Sequence, residues 1–138
     1  MTATVGKIIV VDDDLTNRVL LANILGDQGF EVEVDVWCFG DGGYWLGHDE
    51  PQYLVKKDFL KGDGLWCHAK NIEGLYSMLK DEIHCFFHQE DDVTLTSRGF
   101  FWTYPGKELT ESSIAVLPDS KPTVKVKGIC SDFIVRFV

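Results

Sequence analysis

A short apolar segment that ends in three consecutive acids constrains the fold of this chain most. Residues 7–11, KIIVV, are followed at once by Asp12, Asp13 and Asp14. This pattern is typical of a strand buried on both faces of a parallel sheet, with acids at its carboxyl end. Apolar residues with helical spacing follow, at Val19, Leu20, Ile24 and Leu25. The segment therefore predicts a strand and then an amphipathic helix that starts after Asp14 or Thr16 and ends between Gly26 and Gly29.

The next predicted strand carries two acids on one face. Residues 30–39, FEVEVDVWCF, alternate strictly, which is typical of a half-buried strand. One face carries Val32, Val34 and Val36, and the other carries Glu33, Asp35 and Trp37. The acidic face is either a functional surface or the solvated side of the sheet.

Strands and short helices or loops alternate along the rest of the chain. Residues 72–82 predict a helix. Its expected inner stripe is Ile72, Leu75, Tyr76 and Leu79. Strands are predicted in YWLGHDEP, LWCHAK, IHCFFH, VTLTS, GFFWTY, SIAVLP and GICSDFIVRFV, and a loop over residues 118–127. This alternation predicts one α/β domain with a largely parallel sheet.

Length, charge and hydropathy narrow the class of protein. A chain of 138 residues is long enough for one compact core. The net charge of -9 disfavours contact with nucleic-acid backbones and anionic membranes, because such contacts need Lys and Arg. No apolar run approaches the ~20 residues that cross a bilayer, and the first residues lack a secretory signal. We expect a cytoplasmic protein without nucleic-acid or membrane partners, and the sequence leaves its protein partners open.

The cysteines have the surroundings of core residues. Cys38, Cys67, Cys85 and Cys130 form no CxxC pair, and each lies beside aromatic or aliphatic residues. Reduced, buried thiols fit this pattern better than a zinc site or disulfides.

Residues 7 to about 32 resemble the first strand and helix of response-regulator receiver domains. The resemblance rests on the apolar strand, the acidic triplet, Asn17-Arg18 and the amphipathic helix, in that order. It implies acids that bind magnesium beside a phosphoacceptor aspartate, which ends a third apolar strand. The corresponding region here is PQYLVKKDFLKGDG, where Asp58 has no apolar strand before it. A phosphoacceptor site is therefore not expected.

From Phe30 onward the chain resembles the glycerophosphodiester phosphodiesterase and phospholipase-C-like superfamily, in particular its small members. The segments that carry this resemblance are EVDVW (33–37), LGHDEP (46–51), WCHAKN (66–71), HCFFHQEDD (84–92), WTYPGK (102–107) and GICSDF (128–133). The resemblance implies a reduced or partial (β/α) barrel with mostly parallel strands. The chain is then a hybrid single domain, with residues 1–30 receiver-like and residues 31–138 phosphodiesterase-like.

The second resemblance also implies a site. In that superfamily an ExD pair holds a divalent metal, and the first histidine of an HD pair is a general acid or base. Glu33 and Asp35 match the ExD pair, and His48 matches the histidine. The family's third strand commonly supplies a carboxylate two residues before a lysine, and here His68 and Lys70 occupy those positions.

We therefore expect a divalent-metal pocket formed by Glu33, Asp35, His68 and Asp12. Its carboxylate oxygens suit Mg²⁺ or Ca²⁺, although histidine is a softer donor. His48 is the expected acid or base, and Lys70 the contact to the phosphate of a small phosphodiester substrate. Further polar candidates come from residues 88–91, HQED, and residues 131–133, SDF, are expected to complete the pocket wall.

The chain departs from the superfamily at its first strand. The His-Arg-Gly motif found there is absent, and alignment of the apolar runs places Asp12, Asp13 and Asp14 in its positions. A proton carrier and a phosphate-binding cation are thereby lost, so weak or absent hydrolysis is expected. The alternatives are a non-enzymatic, receiver-like signalling or interaction module and a catalytically inactive hybrid kept only for folding or partner binding.

Individual residues in these motifs also have structural interpretations. Asp12, Asp13 and Asp14 can cap a helix instead of binding metal, and His48 can belong to a surface turn. We expect His84 to pack in the core. Most of the aromatic residues in the later strands are also expected to be core.

Overall fold

Strands dominate the part of the chain that the structure, a computed structural model, describes: residues 6–10, 29–40 and 43–132. Its strands are β1 (Gly6–Val10), β2 (Glu31–Phe39), β3 (Gly43–Leu46), β4 (Tyr53–Val55), β5 (Leu65–Ala69), β6 (Cys85–Phe86), β7 (Val93–Leu95), β8 (Phe101–Thr103), β9 (Ser113–Val116) and β10 (Gly128–Cys130). Its helices are α1 (Lys57–Leu60) and α2 (Ile72–Lys80). The α/β class and the loop over residues 118–127 are confirmed, whereas β4 and α1 were not predicted. The helix predicted after Asp14 lies outside the described residues.

Seven of these strands run parallel, in the spatial order β8, β9, β10, β1, β2, β5 and β6. β3 and β4 continue from β2 as antiparallel strands, and β7 pairs antiparallel with β8. The largely parallel sheet is confirmed. Strand pairing within the described residues does not close the sheet, so a (β/α) barrel is not shown.

The two ends of the parallel set nevertheless contact each other. The backbone N–H of Ser97, just after β7, donates to the carbonyl of Cys85 in β6 at 2.8 Å. The backbone N–H of Cys85 donates to the Ser97 hydroxyl at 2.9 Å. These bonds bring β6 beside the segment that leads to β8, so the sheet curls around one of its faces.

The enclosed face is packed with aromatic and aliphatic side chains. The rings of Phe86 and Trp102 lie 4.6 Å apart, and those of Trp66 and Trp102 lie 5.7 Å apart. Ile8, Ile114, Val116 and Cys130 complete this cluster. Burial of each large apolar side chain stabilises the fold by roughly 1.5–3 kcal/mol. The expectation that Trp66 and Trp102 belong to the core is confirmed.

The opposite face of the sheet packs against α2. Val32, Val34 and Val36 all point to this side and are buried, as the alternation predicted. Asn71 caps the helix, because its Oδ1 accepts a hydrogen bond from the backbone of Gly74 at 2.9 Å. Its Nδ2 donates to the carbonyl of Cys38 at 2.9 Å, which ties the cap to β2.

The predicted inner stripe of α2 is confirmed only at Leu75, which is partly buried against the core, and is wrong at its other three residues. Ile72, Tyr76 and Leu79 are between half and two-thirds exposed, whereas Gly74 and Met78 are buried. A Cβ at Gly74 would lie 3.3 Å from the carbonyl oxygen of Val36. The helix therefore approaches β2 closely through its glycine, and this contact turns the apolar stripe toward solvent.

The four cysteines are all free and buried, as predicted. Burial raises the pKa of Cys67, Cys85 and Cys130. These thiols stay protonated at neutral pH, where they act as small core residues.

His84 is buried against Trp66, as expected, and its Nε2 lies 2.9 Å from the hydroxyl of Thr96. Burial, assisted by Arg98, lowers the pKa of His84 from 6.5 to about 4. The unfolded chain binds this proton more readily, so His84 should reduce stability as the pH falls from 6.5 toward 4. The full difference corresponds to roughly 3 kcal/mol.

The variant His84→Gln, which cannot titrate, should lose this part of the pH dependence. Urea denaturation of both proteins at several pH values between 7 and 4 measures the effect. Equal slopes of the unfolding free energy against pH would show that His84 does not couple to folding.

Candidate metal site

A cavity of about 610 Å³ opens at the carboxyl ends of the parallel strands. Its polar lining consists of Glu33, Asp35, His48, His68, Lys70, His88, Gln89, Tyr104 and Asp132. Its apolar lining includes Phe87, Trp102, Val116 and Leu117. Ligand sites of parallel α/β folds occur at this end of the sheet.

Three of the lining residues bring metal-ligating atoms together. Strand pairing sets Asp35 of β2 directly beside His68 of β5, and parallel neighbours in register share a face. The Nδ1 atom of His68 lies 3.2 Å from Oδ1 of Asp35 and 4.0 Å from Oε1 of Glu33. All three ligand atoms fall within 4.8 Å of one another, so the group can hold a metal ion.

Glu33 and Asp35 do not form a solvated face, which was the other interpretation of the alternating strand. Their residue exposures are only 6% and 7%. Two carboxylates buried side by side repel each other unless a proton, a cation or a metal lies between them. The chemistry of the group therefore fits a cation.

The ring of His68 is held in one orientation. It stacks on Phe86 with ring centroids 5.0 Å apart, and on His88 with centroids 4.5 Å apart. Its Nε2 atom lies 3.4 Å from the backbone carbonyl oxygen of His88, toward which an Nε2–H can donate. The Nδ1 atom faces the carboxylates, where a bound metal ion would take the place of the proton that Nδ1 shares with Asp35.

Asp35 is the electrostatic centre of the group. Burial alone would raise its pKa, but interactions with His68, His48 and Glu33 outweigh burial and hold the pKa of Asp35 well below its ordinary range. An ionised carboxylate is the form that binds a cation, so Asp35 has the right charge at neutral pH.

His48 reaches Asp35 from a turn between β3 and β4. Its Nδ1 lies 2.6 Å from Oδ2 of Asp35, while its side chain remains 53% exposed. The surface-turn interpretation of His48 is therefore correct for its backbone, but the ring also contacts the acidic group. The Nε2 atom has no neighbour closer than Asp49, at 4.0 Å, among the ion pairs of the described residues.

Trp37 and Gly47 fix the turn that carries His48. The indole N–H of Trp37 donates to the carbonyl of Gly47 at 2.6 Å, and the N–H of Gly47 donates to the carbonyl of Asp35 at 3.2 Å. A Cβ at Gly47 would lie 1.8 Å from the carbonyl oxygen of Glu50. Only glycine fits there, so the tight turn depends on this residue.

The remaining predicted residues divide into three groups. Lys70, Gln89 and Asp132 line the cavity, whereas Glu90 and Asp91 are exposed and do not line it. Asp12 and Phe133 lie outside the described residues.

Tyr104 and His88 form a pair that the sequence did not indicate as a unit. The Tyr104 hydroxyl lies 2.8 Å from Nε2 of His88. Burial raises the pKa of Tyr104 to about 12, and burial together with His68 lowers the pKa of His88 to about 4. A protonated phenol therefore donates to a neutral imidazole. The WTYPGK and HCFFHQEDD segments contain both residues, but nothing in their spacing predicts that they meet.

Comparisons of the chain with protein-family models, curated proteins and solved structures find no match. Among the described residues, no helix is long and apolar enough to cross a membrane.

Proposed function

We propose that this chain is a metal-dependent phosphodiester hydrolase-like domain with low activity. The observation that carries the proposal is the meeting of Glu33, Asp35 and His68 in one cavity with His48 and Lys70. A partial barrel, curled by the contacts between β6 and Ser97, is the architecture we propose for it. All these residues were selected from the sequence by one family resemblance, and their convergence supports it.

A divalent cation bound by the three ligands would offset negative charge on a phosphodiester. Lys70 lines the same cavity and adds positive charge for a phosphate oxygen. The three acids of the cavity, Glu33, Asp35 and Asp132, would repel an anionic substrate in the absence of a cation. The sequence predicts Mg²⁺ or Ca²⁺, and the identity of the ion does not alter this role.

His48 is suited to move a proton. Asp35 accepts a hydrogen bond from Nδ1 of His48, which leaves Nε2 directed away from the carboxylate. A histidine oriented by a carboxylate can exchange a proton at its other nitrogen. We assign to Nε2 of His48 the proton transfer to the leaving oxygen or from the attacking water.

Strand order favours this proposal over the receiver-like alternative. β1 lies between β10 and β2, whereas the receiver-type order 2-1-3-4-5 places the first strand between the second and the third. Asp58 lies exposed in α1 and does not follow a parallel strand.

Slow hydrolysis of bis-p-nitrophenyl phosphate that requires a divalent metal is the expected activity. Chelation, the double change Glu33→Gln and Asp35→Asn, and His48→Ala should each lower the rate to background. Release of p-nitrophenol, followed by its absorbance, measures the rate.

Asp58→Asn is the matched control, since it removes an exposed acid that does not line the cavity. It should leave the rate unchanged. Hydrolysis that survives chelation and the double change would contradict the proposal.

A further inference from the structure

Building on the proposed metal-dependent function, we infer that His68 makes the site selective for a first-row transition ion such as Mn²⁺ over Mg²⁺ and Ca²⁺. The donor atoms of the site and the way in which His68 is held determine which cation it takes.

The donor set contains one nitrogen and two carboxylates. Nδ1 of His68 faces both acids, at 3.2 Å from Asp35 and 4.0 Å from Glu33. Imidazole nitrogen suits transition ions, carboxylate suits Mn²⁺ as well as Mg²⁺ and Ca²⁺, and only a transition ion is satisfied by both. Ca²⁺ prefers about six to eight oxygen ligands, and Mg²⁺ prefers octahedral oxygen.

Strand pairing and ring stacking hold the nitrogen donor, Nδ1 of His68, in place. β5 and β6 pair so that His68 lies beside Phe86, and the imidazole stacks on the rings of both Phe86 and His88, whose centroids lie 5.9 Å apart. The carbonyl oxygen of His88 lies 3.4 Å from Nε2 and can accept a hydrogen bond from it, while Nδ1 is the atom that faces the carboxylates. A hydrogen-bond partner on the second nitrogen is the usual companion of a metal-binding histidine.

Tyr104, the residue after β8, completes this arrangement. Its hydroxyl lies 2.8 Å from Nε2 of His88 and fixes the ring that covers His68. His88 and Tyr104 are thus positioning residues, which orient the histidine ligand. Residues in or just after β5, β6 and β8 together present one nitrogen to Glu33 and Asp35.

The affinities of Mn²⁺ and Mg²⁺ for the parent chain and for His68→Asp test the inference. Isothermal titration calorimetry supplies both dissociation constants. The all-carboxylate site of His68→Asp should lose the preference for Mn²⁺. The ratio of the Mg²⁺ dissociation constant to the Mn²⁺ dissociation constant should therefore fall at least about tenfold in this variant. Tyr104→Phe should weaken Mn²⁺ several-fold more than Mg²⁺.

A second measurement needs no variant. In the Co²⁺-loaded parent chain, a histidine bound through Nδ1 places its Nε2–H close to the paramagnetic ion. Proton NMR should therefore show a strongly shifted, exchangeable signal that disappears in D₂O. This experiment remains decisive if His68→Asp does not fold.

The outcomes separate this inference from the proposed function. An unchanged Mg²⁺/Mn²⁺ ratio in folded His68→Asp, or Co²⁺ binding without the shifted signal, overturns the inference alone. Failure of every ion to bind removes the metal site, and the proposed function with it. Selective Mn²⁺ binding without hydrolysis overturns only the catalytic proposal.

Discussion

Saturation with a divalent metal should raise the free energy of unfolding by about 2.7 kcal/mol when the free ion is a hundredfold above its dissociation constant. For a chain of this size, the gain corresponds to a melting temperature roughly 5 to 15 °C higher. The physical reason is that the unfolded chain does not hold Glu33, Asp35 and His68 within 4.8 Å of one another. Thermal melts with metal and with chelator measure the shift.

The double change Glu33→Gln and Asp35→Asn should abolish this shift. A matched double variant, Glu111→Gln and Asp119→Asn, removes the same charge from exposed residues that do not line the cavity. It should retain the full metal response. Equal melts of the parent chain with Mg²⁺, Ca²⁺, Mn²⁺ and chelator would refute the metal site.

Local alternation was sufficient to predict the two faces of β2. Successive side chains of a strand point to opposite faces, so the valines and the acids had to lie on different faces of β2. Which face was buried could not be derived from β2 alone, because Glu33 and Asp35 are buried as well as the valines. The curl of the sheet decides this, and it depends on contacts between Cys85 and Ser97, which are distant in sequence.

The helix α2 shows why hydrophobic pattern can indicate the wrong face. Ile72, Tyr76 and Leu79 have helical spacing and are apolar, yet they are exposed. Gly74 contributes no apolar side chain to any such pattern. Its small size nevertheless allows the helix to approach β2 closely at this residue. Close packing, and not the apolar stripe, therefore decides which side of α2 faces the sheet.

The candidate site was predictable residue by residue, but its arrangement was not. The resemblance selected Glu33, Asp35, His48, His68 and Lys70 as single residues. Strand register then pairs Asp35 with His68, and a turn held by Trp37 brings His48 to Asp35. His88 and Tyr104 follow β6 and β8 and meet beside His68 of β5, a contact that neither spacing nor composition encodes.

Restoring the first-strand motif should raise phosphodiester hydrolysis by at least about tenfold. The triple change is Asp12→His, Asp13→Arg and Asp14→Gly. It supplies a second proton carrier and a phosphate-binding cation, and one general acid or base is typically worth about 10² to 10⁴ in rate. It also removes negative charge that would repel an anionic substrate. Release of p-nitrophenol from bis-p-nitrophenyl phosphate measures the gain.

Two controls separate the restored chemistry from the change in charge. Asp12→Asn, Asp13→Asn and Asp14→Gly removes the same three acids but adds neither histidine nor arginine, so it should yield much less of the gain. Adding His48→Ala to the restored motif should cancel the gain, because the two histidines then no longer act as an acid and a base. Chelation should cancel it as well, since the substrate would meet Glu33 and Asp35 without a cation. A folded His-Arg-Gly variant no faster than the parent chain would mean that position 12 is not a catalytic position, and the interaction-module hypothesis would then be preferred.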